Sequence, residues 1–193
     1  MKSLSLVCFL ICLVFVSSKV SLKSKLNLKK SKACQTVIFS PTSYLKVYLV
    51  SDTGFALARC NNCGPTANGV ADTAAVYGKC GDSFAQWRMF TGCDGQVAFQ
   101  SIDTGKYIAR CRNCWQSAAY VDGLFIVTGE ANDSVAQFTM ISNDDGTYGF
   151  KGDLGNYLAR CHNCVTGATQ SDFAFEHTND PTAAYARWKV VVF

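Results

Sequence analysis

The stretch Gly105-Lys106-Tyr107-Ile108-Ala109-Arg110-Cys111-Arg112-Asn113-Cys114 decides how this chain is read, because it is written three times. Gly54-Phe55-Ala56-Leu57-Ala58-Arg59-Cys60-Asn61-Asn62-Cys63 stands 51 residues before it, and Gly155-Asn156-Tyr157-Leu158-Ala159-Arg160-Cys161-His162-Asn163-Cys164 stands 50 residues after it. A second landmark keeps step. Ala85-Gln86-Trp87, Ala136-Gln137-Phe138 and Ala186-Arg187-Trp188 put an aromatic 27 residues after the first cysteine of each unit. Two landmarks in register over three copies exclude coincidence, and self-similarity at this period is the signature of a repeat architecture.

Working outward, each unit consists of short runs rich in Val, Ile, Phe and Tyr, broken by Gly, Asp and Asn, with no sustained helical period. In the second unit, strands are predicted over Val97–Ser101, Lys106–Arg110, Leu124–Thr128 and Ala136–Ile141. Asp-x-Gly recurs as Asp52-Thr53-Gly54, Asp103-Thr104-Gly105 and Asp153-Leu154-Gly155, and reads as a two-residue hairpin turn that needs positive φ. Four strands in each of three units make an all-β chain of twelve strands in about 160 residues. Propellers need at least about four blades. A six-stranded barrel capped by three hairpins, the β-trefoil, fits both period and total, with repeats at about 37–90, 91–141 and 142–193 of a single domain spanning 34–193.

Asp94-Gly95-Gln96-Val97-Ala98-Phe99 through Gly105-Lys106-Tyr107-Ile108, followed by Phe138, resembles the fascin-like and ricin-type β-trefoil superfamily. The resemblance covers nearly everything from Val37 to Phe193. It implies the fold, and leaves function among lectins, cytokine-like ligands, protease inhibitors and actin crosslinkers. In this register Leu57, Ile108 and Leu158 form one core layer, with Trp87, Phe138 and Trp188 beside it.

The chain opens with Met1-Lys2, an apolar run from Leu4 to Val16 and the small residues Ser17-Ser18, the pattern of a secretory signal peptide over 1–18. The run is too short to span a bilayer, which takes roughly 20 residues. From 19 to 33 follows a basic segment with six lysines and no acidic residue, read as a flexible arm or propeptide with Lys29-Lys30 as a processing site. Lys2 and those six account for seven of the 18 basic residues, so 11 face 14 acidic ones from Ala33 onward. The domain is therefore mildly acidic, which speaks against nucleic acid as a partner.

Nine of the eleven cysteines lie beyond the signal sequence. For Cys60, Cys63, Cys111, Cys114, Cys161 and Cys164, a redox site lacks the helix that activates such a thiol, and no catalytic site needs three copies. Zinc would take Cys-x-x-Cys halves, with His162 an extra ligand in one copy only. An exported chain points instead to structural disulfides, closed within each motif or linked cyclically between motifs. Self-closure is favoured, because corresponding points of a trefoil stand apart unless they lie near the axis. Cys80 and Cys93 pair with each other, or one of them with Cys34. The odd count leaves one cysteine free or joins two chains in a disulfide-linked dimer. No cofactor or metal is expected.

Arg59, Arg110 and Arg160 reach an acidic neighbour or carbonyl groups at the cap, or converge on an anion near the threefold axis. Asn62, Asn113 and Asn163 take a left-handed turn inside the disulfide loop, or supply three equivalent sugar contacts. Trp115 and Tyr120 are candidate exposed aromatics that occur in the second unit alone, so a pocket built on them would be single. Asn132-Asp133-Ser134 is a glycosylation acceptor.

With two histidines and scattered carboxylates, nothing resembles a catalytic constellation, and no enzyme is expected. The leading expectation is a secreted, disulfide-stabilised binding module for extracellular glycans or protein surfaces. Two alternatives stand beside it: a structural or assembly protein of a secretory granule, wall or matrix, and a fascin-like actin crosslinker, the latter opposed by the signal peptide.

Overall fold

A computed structural model describes residues 43–67, 69–92 and 95–193. The signal sequence and basic arm, together with Cys34 and Cys93, lie outside the described residues.

Among the described residues the strands are β1 (Tyr44–Val50), β2 (Ala56–Asn61), β3 (Asp72–Gly78), β4 (Trp87–Thr91), β5 (Gln96–Ser101), β6 (Tyr107–Arg112), β7 (Asp122–Thr128), β8 (Phe138–Ser142), β9 (Tyr148–Lys151), β10 (Tyr157–His162), β11 (Asp172–Thr178) and β12 (Lys189–Val192). All pairings are antiparallel. β1 pairs with both β4 and β12, and the path runs on through β5, β8 and β9. An isolated bridge between Tyr148 and Trp188 joins β9 to the residue before β12 and closes six strands into a ring. Closure leaves this ring without a free edge.

The other six strands form the hairpins β2–β3, β6–β7 and β10–β11. Their second strands pair with one another in a triangle: Thr73 opposite Phe125, Ala75 opposite Phe173, and Gly123 opposite Phe175. Each hairpin carries a register shift at the same place, between Ala56 and Leu57, Tyr107 and Ile108, and Tyr157 and Leu158.

The sequence reading differs from the fold at two local points. The turns before β2, β6 and β10 are not two-residue turns. In the second unit Ser101 N–H donates to Lys106 O and Gly105 N–H to Ser101 O, so four residues make the loop. Gly54, Gly105 and Gly155 still take the positive φ that the pattern required (83°, 71° and 89°). The fourth strand of the second unit begins at Phe138 rather than Ala136, because Ser134–Ala136 is a 3-10 turn. Asp133 accepts from Val135 N–H there, a local bond that competes with the sheet ladder. The other units carry the 3-10 turn, without a side-chain cap, at Ser83–Ala85 and Ala184–Ala186.

The main core is assembled from the expected layer. Leu57, Ile108 and Leu158 are fully buried, as are Trp87 and Trp188, and Phe138 is buried with them. The indole N–H of Trp87 donates to Leu57 O and that of Trp188 to Leu158 O, each at 2.9 Å. Buried indoles usually find such an acceptor. Phe138 has no donor, so the second unit fills the position with no polar group to satisfy.

Candidate ligand-binding site on the hairpin cap

The hairpin loops carry the Cys-x-Asn-Cys motifs and interlock around the end of the barrel. Cys60 and Cys63, Cys111 and Cys114, and Cys161 and Cys164 are each joined sulfur to sulfur, with Cα atoms 5.7, 5.6 and 5.7 Å apart. Those separations lie in the ordinary disulfide range. Cys80 is also disulfide-bonded. Inside each motif the asparagine turns the chain left-handed, with φ of 55°, 59° and 55° at Asn62, Asn113 and Asn163. Among L-residues asparagine tolerates this region well. All three are exposed. The Asn62 amide donates to the Asn61 side chain and the Asn163 amide contacts His162, so these two asparagines face their own neighbours rather than one shared pocket.

Between loops, the second cysteine of each motif accepts a backbone bond from another unit: Ala67 N–H to Cys114 O, Ala119 N–H to Cys164 O, and Thr169 N–H to Cys63 O, at 2.7 to 2.8 Å. Two reciprocal bonds run the other way, from Gln116 N–H to Pro65 O and from Thr166 N–H to Ser117 O. The residue that would donate the third is Pro65, which has no N–H.

The residue after each motif fills the space between these loops, and here the units differ: Gly64, Trp115 and Val165. Trp115 is only 7% exposed and packs against Phe125 and Phe173 with ring centres 5.1 and 4.8 Å away. This corrects the expectation of an exposed Trp115. Two glycines make its room. A Cβ on Gly64 would lie 2.9 Å from the indole, and one on Gly123 2.5 Å from its Nε1. Trp115 is the plug of the cap, not a surface for a ligand.

The three arginines form a cyclic set of ion pairs. Arg59 bonds Asp72 of its own hairpin and Asp103 in the turn of the next unit; Arg110 bonds Asp122 and Asp153; Arg160 bonds Asp172 and Asp52. Arg110 and Arg160 each hold the turn aspartate with two donors at 2.7 to 2.8 Å. Such two-point contacts are the strongest form of this bond. The hydrogen bond from Arg160 holds the Asp52 carboxyl below its usual range, and that from Arg110 does the same for Asp153. Burial alone would raise Asp172, but bonds from Arg160, Ser171 and His162 outweigh it and bring it down. Of the two readings for the arginines, the geometry matches the acidic neighbour. None of these three guanidiniums is left over for a free anion.

Open to solvent is a ring cluster of which the sequence pointed only to Tyr120. His177 near the end of β11 lies 4.5 Å from the Tyr120 ring and 5.6 Å from the Tyr185 ring, nearly parallel to the latter. Tyr120 comes from the loop of the second unit and Tyr185 from the 3-10 turn of the third, and they are 42% and 39% exposed. Burial keeps His177 below its ordinary pKa, and its Nδ1 has no hydrogen-bond partner. The signal for this cluster was present in the repeat. The counterparts of His177 are Tyr77 and Val127, and those of Tyr185 are Phe84 and Val135. In the first unit Tyr77 stacks on Phe84 at 5.5 Å, both half-buried, and the Tyr77 hydroxyl is spent on Arg59 O. In the second unit the pair is aliphatic. Among the described residues at this position, the third unit combines polar aromatic edges with exposure.

Asn132 is exposed in the turn before Ser134–Ala136. Among the described residues no group of three or more His, Cys, Asp or Glu side chains is placed to hold a metal, and no helix is long and apolar enough to cross a membrane.

No family model matches the chain, and no curated protein sequence matches it. Solved structures do match. A Caenorhabditis elegans protein of unknown function is similar with TM-score 0.61 at 12% identity, covering 82% of this chain and 98% of that one. A β-trefoil named BEL gives 0.51 at 14% identity, with 79% and 96% covered. The Polyporus squamosus lectin bound to a human-type influenza-binding epitope gives 0.55 at 10% identity, with 78% and 50% covered. At these identities the likeness is one of fold, and the fold is β-trefoil-like and nearly all β.

Proposed function

We propose that this protein is a secreted, non-catalytic binding module that recognises an extracellular glycan on the Tyr120–His177–Tyr185 cluster. On this reading residues 34–193 are a single β-trefoil of three four-stranded repeats, entering the secretory route through the signal peptide at 1–18. The observation that carries the glycan reading is the cluster itself. Two exposed tyrosines flank a half-buried imidazole on a rigid strand and a short turn. Aromatic faces with polar edges suit a sugar, whose C–H face packs on a ring while its hydroxyls take hydrogen bonds. The likeness to a lectin supports the reading at the level of fold.

The test is a glycan array with the full chain recovered oxidised from a secreting host, run at low and at high salt. A defined neutral sugar bound equally well at both, and lost in Tyr185→Ala and Tyr120→Ala, is the expected result. Binding of sulfated glycans alone that disappears at high salt would assign recognition to the lysine-rich arm instead. An array with no binding would overturn the glycan reading, and the protein-binding or assembly role would take its place.

A further inference from the structure

Among the described residues, Glu176 is a buried carboxyl with no hydrogen-bond partner. It lies on β11 opposite Leu158 and is 2% exposed. Its counterparts in the other units are Val76 and Ile126, both members of the main core. A second departure accompanies it. Gly152 stands where the other units have Ser51 and Ile102, and a Cβ on Gly152 would overlap the Glu176 carboxyl. The acid therefore occupies the side-chain space of residue 152, and the two departures form a pair.

Its carboxyl lies against Gly152, the residue before Asp153, and the charges that act on it come from three other elements: Asp153 in the turn between β9 and β10, Arg110 on β6, and Asp122 on β7. Arg110 is already committed to both aspartates. Those three groups sum to one negative charge, so an ionised Glu176, itself buried, would add a second. Burial, first, and repulsion from Asp153 hold the proton on Glu176, raising its pKa to about 8, although Arg110 pulls the other way.

We propose that Glu176 is a proton-binding site that governs whether Arg110 stays locked to Asp153. With the proton on, the bridge between the second hairpin and the third unit's turn is held. With the proton off, Arg110 is drawn to the new carboxylate and releases Asp153. The ligand is the proton alone, and the switch is independent of what the aromatic cluster binds. An unpartnered buried carboxylic acid thereby has a role as the group that couples solution pH to the Arg110–Asp153 bridge.

Carbon-13 NMR of the glutamate carboxyls in the intact wild-type protein reads the site directly. Glu176 should titrate far above the ordinary range, and the Arg110 Nε–H signal should move with it. In E176Q the Arg110 signal should stay fixed across the same pH range. Chemical unfolding adds a second measure. Given the raised pKa, the folding equilibrium of the wild type should fall, relative to E176Q, by roughly several hundredfold between about pH 5 and about pH 9. Titration of Glu176 in the ordinary carboxylate range would overturn the site. An Arg110 signal that does not follow Glu176 would overturn the switch, even if the raised titration is found.

Discussion

At the scale of single residues, the three units show how a symmetric chain tolerates an asymmetric need. One indole fills the space between the cap loops, and Gly64 and Gly123 stand aside for it. Trp115→Ala should therefore cost about 3–5 kcal/mol by opening a cavity, measured by chemical unfolding. Trp115→Phe should leave ligand affinity unchanged, because the ring does not reach solvent. Gly64→Val should cost about 1–3 kcal/mol by overpacking against Trp115. His177 gives a pH effect of the opposite sign to Glu176. Its folded pKa lies below the usual 6.5 because burial disfavours the cation. The unfolded chain then takes up the proton first, so the stability from neutral His177 is complete above about pH 6.5 and is lost as pH falls below it. Thermal unfolding near pH 7 and pH 5 should show this loss in the wild type and less of it in His177→Phe. An equal loss in both would place the acid sensitivity elsewhere.

At the scale of elements, the cap is held by hairpin loops closed by short disulfides and tied to one another by backbone bonds and arginines. A four-residue loop gives about 2 kcal/mol in the chain-entropy account. Replacing Cys111 and Cys114 together by serine should thus lower stability by about 2 kcal/mol, and peptide mapping without reduction should tie each motif to itself. Arg110 is only partly exposed, between the surface and buried limits, so Arg110→Gln should cost about 1–3 kcal/mol, more than an exposed pair and less than a buried one. Much of this level was readable in advance. The Asp-x-Gly turns, the left-handed asparagines and the aromatic 27 residues on are all local and repeat in register. The arginine pairing was not, because Arg59 meets Asp103, Arg110 meets Asp153, and Arg160 meets Asp52 across 44, 43 and 108 residues. An aspartate already explained by its turn gives no second signal that it also answers a distant guanidinium. Trp115 misled for the same reason: a tryptophan in a polar loop reads as exposed until two glycines from other segments are seen to wall it in.

At the scale of the whole molecule, the chain closes on itself twice, through β1 with β12 in the barrel and through the ring of loops in the cap. Closure binds the three units into one structure, while their surfaces are free to diverge. At one equivalent surface position the first unit has the stacked Tyr77 and Phe84, the second has Val127 and Val135, and the third has His177 and Tyr185 with Tyr120 reaching across from its neighbour. If the third alone presents rings with exposed polar edges, the molecule offers one site despite its threefold plan. Titration calorimetry with the sugar identified on the array should then return one ligand per chain, and Tyr185→Ala should abolish the heat without altering the unfolding free energy by more than about 0.5 kcal/mol, as befits a surface change. Tyr77→Ala should leave the stoichiometry at one. Two or three equivalents, or a site that survives Tyr185→Ala and fails with Tyr77→Ala, would mean that the repeat has kept more of its symmetry in function than its surface residues indicate.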